Sequence, residues 1–245
     1  ERTTFYAYNQ ARQLTHTATT QVKNADGSRE WTVMRQHYDL FGNVVVTRRH
    51  AKALVTASGV SANTTTMANY FATPGNSSED DVKLTMAYDR LNRLILQVTP
   101  GRDFQGNRRL AVVKQDYDAF GNLSQKVEYG NFLRTDIALP AATAQEYAAL
   151  VLSAISPDNN IDRYTRYGYD KLDRMAVVID ANLSVSKMRY DAFGNRIEST
   201  RYATPAASIP ALLSDNYAPS VNAAQDRVTR TVFDANNRPV LEIDA

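Results

Sequence analysis

Short apolar runs, each bounded by turn residues, dominate the pattern of this chain. Val44-Val45-Val46-Thr47, Leu94-Ile95-Leu96-Gln97-Val98 and Met175-Ala176-Val177-Val178-Ile179 are rich in β-branched and apolar side chains. Trp31-Thr32-Val33-Met34 and Tyr164-Thr165-Arg166-Tyr167-Gly168-Tyr169 stand ahead of turns, the second alternating aromatic with other residues. Runs of this length and composition, punctuated on both sides, predict β-strands.

The punctuation is a repeat. One spelling is Tyr38-Asp39-Leu40-Phe41-Gly42-Asn43, with copies at Tyr117-Asp118-Ala119-Phe120-Gly121-Asn122 and Tyr190-Asp191-Ala192-Phe193-Gly194-Asn195. A second reads Tyr88-Asp89-Arg90-Leu91-Asn92-Arg93 and Tyr169-Asp170-Lys171-Leu172-Asp173-Arg174. Two weaker copies follow the second spelling, Phe233-Asp234-Ala235-Asn236-Asn237-Arg238 and Tyr8-Asn9-Gln10-Ala11-Arg12-Gln13. Aspartate in this setting accepts hydrogen bonds from backbone N–H groups two or three residues on. The fourth place after the aromatic calls for positive φ, which Gly tolerates freely and Asn or Asp best among the rest. The unit therefore predicts a type I turn followed by a left-handed residue, a common hairpin connection. Arg12 breaks that rule, so the first copy is the weakest. Each Tyr is expected to lay its ring over the neighbouring strand with its hydroxyl on water or a turn carbonyl. Phe41, Phe120 and Phe193 are expected to plug the gap beside their turns.

The two spellings alternate, and each recurs about 80 residues apart. The working unit is thus a second-type turn, a short link, a Gly-Asn turn and a long link. That divides a single array over 1–245 into approximate units 1–80, 81–161 and 162–225, with a further unit opening at 226–245. In the middle long link, Thr143 and Glu146 fit a capping box, and Tyr147, Leu150, Val151, Ala154 and Ile155 share a helical face. Met67, Tyr70 and Phe71 form a shorter face in the first, and Ile209, Leu212 and Leu213 stand around Pro210 and ahead of Pro219 in the third. Each long link is expected to carry a short helix packed on one face of the sheet.

Composition narrows the chemistry. Lys plus Arg total 28 against 26 for Asp plus Glu, so no concentrated basic face argues for nucleic acid or an anionic membrane. Local pairs such as Arg48-Arg49 and Arg108-Arg109 read as solvated strand ends. There is no Cys, which removes disulfides, thiolate metal sites and cysteine nucleophiles. No apolar run approaches the about 20 residues of a membrane-spanning helix. The 14 Tyr against 1 Trp and 8 Phe follow the repeat. The chain opens at Glu1 without Met and stops at Ala245 just after a repeat, which predicts a fragment of a longer polypeptide.

No catalytic constellation emerges: no nucleophile elbow, no phosphate-cradling Gly-Lys loop, no His-Glu-x-x-His. His16, His37 and His50 read as isolated, with His37 a strand residue. The recurrent Asp39, Asp89, Asp118, Asp170 and Asp191 fall once per turn, where turn formation accounts for them better than glycosidase-like carboxylate pairing. Ser77-Ser78-Glu79-Asp80-Asp81 lacks metal-ligand spacing and reads as a solvated loop. The sequence therefore predicts no enzyme, no cofactor and no metal.

The turns Tyr-Asp-x-x-Gly-Asn and Tyr-Asp-x-x-Asn-Arg, each followed by a short β run, resemble the YD repeats of the RHS superfamily. The resemblance spans nearly the whole chain through its seven turns. It implies a mainly β fold, a spiralling strip of antiparallel β-hairpins with short helical insertions, often part of a shell around a toxin or other C-terminal passenger. It also implies a bacterial protein that is secreted or at the cell surface, whose partners are the rest of its own polypeptide and the enclosed passenger. Family members include polymorphic bacterial toxins, the B and C components of insecticidal toxin complexes, and teneurins. Two departures stand out: every second link is long, and the self-cleaving aspartates of the family's C-terminal core are not evident, so no protease residue carries over. A carbohydrate-binding or adhesive module, with Tyr rings stacking on glycans, is the alternative, and a hydrolase a third.

Overall fold

A computed structural model describes residues 2–78, 80–102, 105–133 and 144–244. It is mainly β, with one antiparallel sheet of 15 strands and two short helices. In chain order the strands are β1 (Thr4–Tyr8), β2 (Leu14–Lys23), β3 (Arg29–Tyr38), β4 (Val44–Arg49), β5 (Leu54–Thr56), β6 (Val82–Tyr88), β7 (Leu94–Arg102), β8 (Arg108–Tyr117) and β9 (Leu123–Glu128). They continue with β10 (Arg163–Tyr169), β11 (Met175–Ile179), β12 (Val185–Tyr190), β13 (Arg196–Arg201), β14 (Arg227–Phe233) and β15 (Pro239–Asp244). Sequential neighbours pair throughout, save that β4 pairs with β6 while β5 lies against β3. Helices α1 (Thr64–Ala72) and α2 (Ala144–Ala154) belong to the first two long links.

The chain forms two compact units, residues 1–112 with 132–156, and residues 113–131 with 157–245. Within each unit the strands alternate in direction, so the repeated turns share one edge of the sheet and the links lie at the other. In the first unit Ala18, Trp31, Val33 and Leu54 bury one face of the sheet under Met67 and Tyr70 of α1. The indole of Trp31 donates to the Thr56 hydroxyl at 3.0 Å, which satisfies its one buried polar group. Asn63 caps α1 by a reciprocal pair with Thr66, the side chain of each meeting the other's backbone N–H. Helix α2 packs against β6.

Two details differ from the sequence expectation. The buried face of α2 is Tyr147, Ala148, Val151 and Ile155, whereas Leu150 is half exposed and Ala154 faces solvent. Small Ala148 lets the helix rest closer than the bulkier Leu150 side would. Thr143 lies outside the described residues. The third long link forms no helix. Pro205, Pro210 and Pro219 break any continuous N–H ladder there. It crosses the second unit as irregular chain, laying Ile209, Leu213 and Tyr217 on a core of Val177, Ile179, Val185 and Ala206, while Leu212 points into solvent. Lys187 holds this crossing by donating to the carbonyls of Asp215 and Tyr217 at 3.0 and 2.9 Å.

Candidate functional site

The recurrent residues form one device per hairpin. Asp39 Oδ1 accepts from the backbone N–H of Phe41 and of Asn43, both at 2.9 Å, and its own N–H donates to Asn43 C=O at 3.0 Å. The carboxylate thus reaches two and four residues on, not two and three, because a left-handed residue turns the chain back in between. Gly42 takes that conformation at φ +90°, as do Gly121 and Gly194. Asp118 and Asp191 repeat the contacts with Phe120, Asn122, Phe193 and Asn195. In the second spelling Asn92, Asp173 and Asn237 stand at φ +60°, +58° and +58°. Asp89, Asp170 and Asp234 bind the same two backbone positions. The weak first copy makes the same turn: Asn9 Oδ1 accepts from Gln13 N–H, and Arg12 sits at φ +60°. Closure of the hairpin overrides the local preference of Arg.

The remaining carboxylate oxygen decides the sixth residue of the motif. In the Gly-Asn turns the amide of Asn43, Asn122 or Asn195 donates to it. In the other turns Arg93, Arg174 and Arg238 grip it through Nε and Nη2. Hydrogen bonds favour the charged form of a carboxylate. The Asn195 amide and the Arg238 guanidinium lead in holding Asp191 and Asp234 below the ordinary carboxylate range. For Asp89 and Asp170 partial burial pushes upward, yet the bonds from their arginines and turn amides outweigh it and the net shift is down.

Neighbouring hairpins are tied by the same letters. Asn43 Nδ2 donates to Asn92 Oδ1 at 2.9 Å, Asn122 to Asp173 at 2.9 Å, and Asn195 to Asn237 at 2.8 Å. The alternation of spellings is therefore a donor–acceptor couple: the Asn of one turn meets the left-handed Asn or Asp of the next. The tyrosines add a second tie. Tyr38 donates to Leu14 C=O, Tyr88 to Val44, Tyr169 to Leu123 and Tyr190 to Met175, at 2.8 to 3.3 Å. Each acceptor is the first residue after the preceding turn, so the hydroxyl sets register between hairpins. Burial, and secondarily the charges of Asp39 and Asp118, push the Tyr88 and Tyr169 hydroxyls above their ordinary range. Tyr117 occupies the equivalent place, with its hydroxyl donating to Gln115 at 3.0 Å. Phe233 carries no hydroxyl to offer. Phe41, Phe120 and Phe193 do not plug the turns; they are 77%, 82% and 79% exposed. Each is the third residue of its turn, immediately before the left-handed Gly, where the side chain stands in solvent.

A second set of aspartates escaped the sequence reading. Asp81 Oδ1 accepts from Ala51 N–H at 2.9 Å, Asp162 from Gly130 at 2.8 Å and Asp226 from Ala203 at 2.8 Å. Each bond joins the two ends of a long link. Asp162 and Asp226 use their second oxygen on the N–H of Asp158 and Asn222. The signal was present: each stands seven residues before a turn aromatic, Tyr88, Tyr169 or Phe233. Asp81 is thus a buried clamp, not part of a solvated loop, and Glu79 lies outside the described residues. Gly130 has no room for a side chain, since a Cβ there would stand 2.7 Å from Ile161 O.

Nor are the histidines isolated. His50 is buried with Nδ1 3.2 Å from Asp81 Oδ2 and 3.1 Å from Asn76 O. The rings of His16 and His50 flank Phe71 at 4.7 and 5.5 Å between centroids. Burial first, then the charges of Arg35, His37 and His50, push His16 down to about 4. Burial also lowers His50, against the opposing pull of Asp81 and the Asn76 carbonyl. His37 lies in β3 as expected. Among the described residues, no group of three or more His, Asp or Glu could hold a metal ion, and no helix is long and apolar enough to cross a membrane.

No family model matches the chain. No curated protein matches it either. Solved structures similar to it include TcdB2-TccC3-Cdc42, at 12% identity and a TM-score of 0.36, covering 98% of this chain and 12% of that one. TcdB2-TccC3 matches at 11% identity and a TM-score of 0.30, over 98% of this chain and 14% of that one. The chain spans only that small share of these structures' length.

Proposed function

We propose that this chain is a scaffold section of a large secreted or surface-bound RHS-type protein, helping to form a shell that encloses or presents a toxin or other passenger. The observation that carries the reading is the use of the repeat side chains. Every turn carboxylate is committed to backbone within its own hairpin, and the Asn and Tyr side chains tie one hairpin to the next. The reading assigns none of these carboxylates to acid–base chemistry. Its partner is the rest of its own polypeptide. The test is protease protection in the parent protein. The passenger should resist digestion while the repeats are intact and become cleavable in an Asp118→Ala/Asp170→Ala double variant. A passenger cleaved equally fast in both proteins contradicts the reading.

One observation favours the glycan-binding alternative. In the second unit a cleft of about 450 Å³ brings Phe120, Tyr167 and Tyr169 together with Arg166, Asp170 and Leu212. Aromatic faces beside charged hydrogen-bonding groups suit a sugar ring. Saturable binding on a glycan array, lost with Tyr167→Ala, would support it; flat titrations would remove it.

A further inference from the structure

We infer that the cleft of the second unit takes a neutral sugar, one hydroxyl of which sits between Arg166 and Gln125. The inference rests on the glycan-binding reading and names the class of sugar. It starts from two polar atoms. Arg166 Nε and Gln125 Oε1 are both buried and, among the described residues, neither has a hydrogen-bond partner. They belong to directly paired positions of β10 and β9. Side chains at such positions leave the same face of a sheet, with Cβ atoms about 5 Å apart. A buried polar group without a partner is costly, so a neighbouring donor and acceptor call for a group that serves both.

The amide of Gln125 is fixed in its orientation. Its Nε2 donates to Asp116 Oδ2 at 3.0 Å, and Lys114 Nζ donates to both Asp116 oxygens at 2.6 and 2.7 Å. Turning the amide over would set Oε1 against that carboxylate. Oε1 therefore stays an acceptor, and Arg166 Nε can only donate. A hydroxyl accepts from the one and donates to the other. An ionised carboxylate or sulfate accepts from Arg166 but brings no proton for Gln125. The charges of the cleft agree, since Asp118, Asp170 and Asp173 line it against Arg166 and Lys171 and give an anion no net attraction. Its volume of about 450 Å³ suits a short saccharide. One wall is the third long link, which rests directly on β10 at Gly168. A Cβ there would stand 2.9 Å from the backbone of Leu213. Next to it Leu212 lines the cleft and is 90% exposed, an apolar side chain for the face of a sugar ring.

The full chain, isotope-labelled in its arginine side chains, is titrated with maltotriose and cellotriose as neutral probes and trigalacturonate as the acidic one. The readout is the Arg166 Nε–H resonance, identified by its loss in Arg166→Met. The expected result is a saturable shift with a neutral probe and none with trigalacturonate. Arg166→Met should weaken neutral binding about tenfold, and Leu212→Ala about threefold. Circular dichroism checks both variants, and the exposed Leu212 can be replaced without touching the core. A resonance that neither neutral probe moves, with water alone in contact with Nε–H, overturns the proposal. So does a shift with trigalacturonate only, or neutral binding indifferent to Arg166→Met. The glycan array judges the glycan reading separately. Acidic sugars bound there, or neutral sugars bound away from Arg166, keep that reading while this inference fails.

Discussion

Asp170 and Asp162 stand eight residues apart and use the same chemistry at different ranges. Each gives carboxylate oxygens to two backbone N–H groups. Asp170 spends both inside its own turn, on Leu172 and Arg174. Asp162 spends one nearby, on Asp158, and the other on Gly130, across a long link. The turn carboxylate shapes a loop that the strand ladder on either side already closes. The clamp carboxylate reinforces the mouth of a long link whose flanking strands also pair, Glu128 with Arg163, and it is buried. Its donors would lose their acceptor away from water, so the clamp should matter more although the bonds are alike. Repetition advertises the local device; burial predicts a larger loss when the long-range one is removed.

The largest expected effect is at Asp162. Asp162→Ala leaves Gly130 and Asp158 N–H without their acceptor in a mostly buried site and should cost about 3 kcal/mol. Urea unfolding followed by circular dichroism measures it. Asp170→Ala should cost about half as much, on the order of 1–2 kcal/mol, since its turn stays held by the ladder. Equal losses for the two variants would erase the distinction.

The histidines all lie in the first unit, and the burial of His16 and His50 predicts a loss of stability there between about pH 6.5 and 4, which the Asp81 carboxylate beside His50 partly opposes. His16 and His50 both titrate below the ordinary 6.5 when folded, His16 at about 4. As pH falls the unfolded chain takes up these protons first. Stability from these groups is therefore whole above about pH 6.5 and is lost down to about pH 4, with no further loss from His16 below. Partial solvent contact reduces the effect to about 1–2 kcal/mol. Trp31 fluorescence, which reports on the first unit, should show the loss, and His16→Gln together with His50→Gln should flatten it.

Smaller effects sharpen the turn side of the contrast. Tyr190→Phe removes one hydroxyl tie to Met175 and should cost about 1 kcal/mol. Arg12→Gly relieves a left-handed Arg and should raise the urea midpoint by the equivalent of about 0.5–1 kcal/mol. A loss of stability there would mean that Arg12 makes contacts its turn geometry does not require.

Much of this architecture was legible from the sequence because its causes are local. A left-handed residue, a carboxylate two and four places from its donors and a β-branched run all leave their mark within six residues. The third link deceived because Ile209, Leu212 and Leu213 have helical spacing, while prolines on both sides keep the backbone irregular. The exposed Phe41, Phe120 and Phe193 deceived because hydrophobicity predicts burial only where geometry offers a cavity. Asp81, Asp162 and Asp226 were missed since each has its partner 23 to 32 residues away. Only their constant distance from the next turn aromatic marks them. The same remoteness hid the approach of His16 and His50, which Phe71 of α1 brings together.

Native-state hydrogen exchange at two amides of the second unit tests the central contrast most directly. Gly130 N–H bonds to the clamp Asp162, and Leu172 N–H bonds to the turn Asp170. Gly130 should exchange only through global opening, with protection matching that of Val177 in β11, while Leu172 exchanges through local opening of its hairpin. Gly130 exchanging as fast as Leu172 would contradict the account, since the clamp would then be as local as the turn.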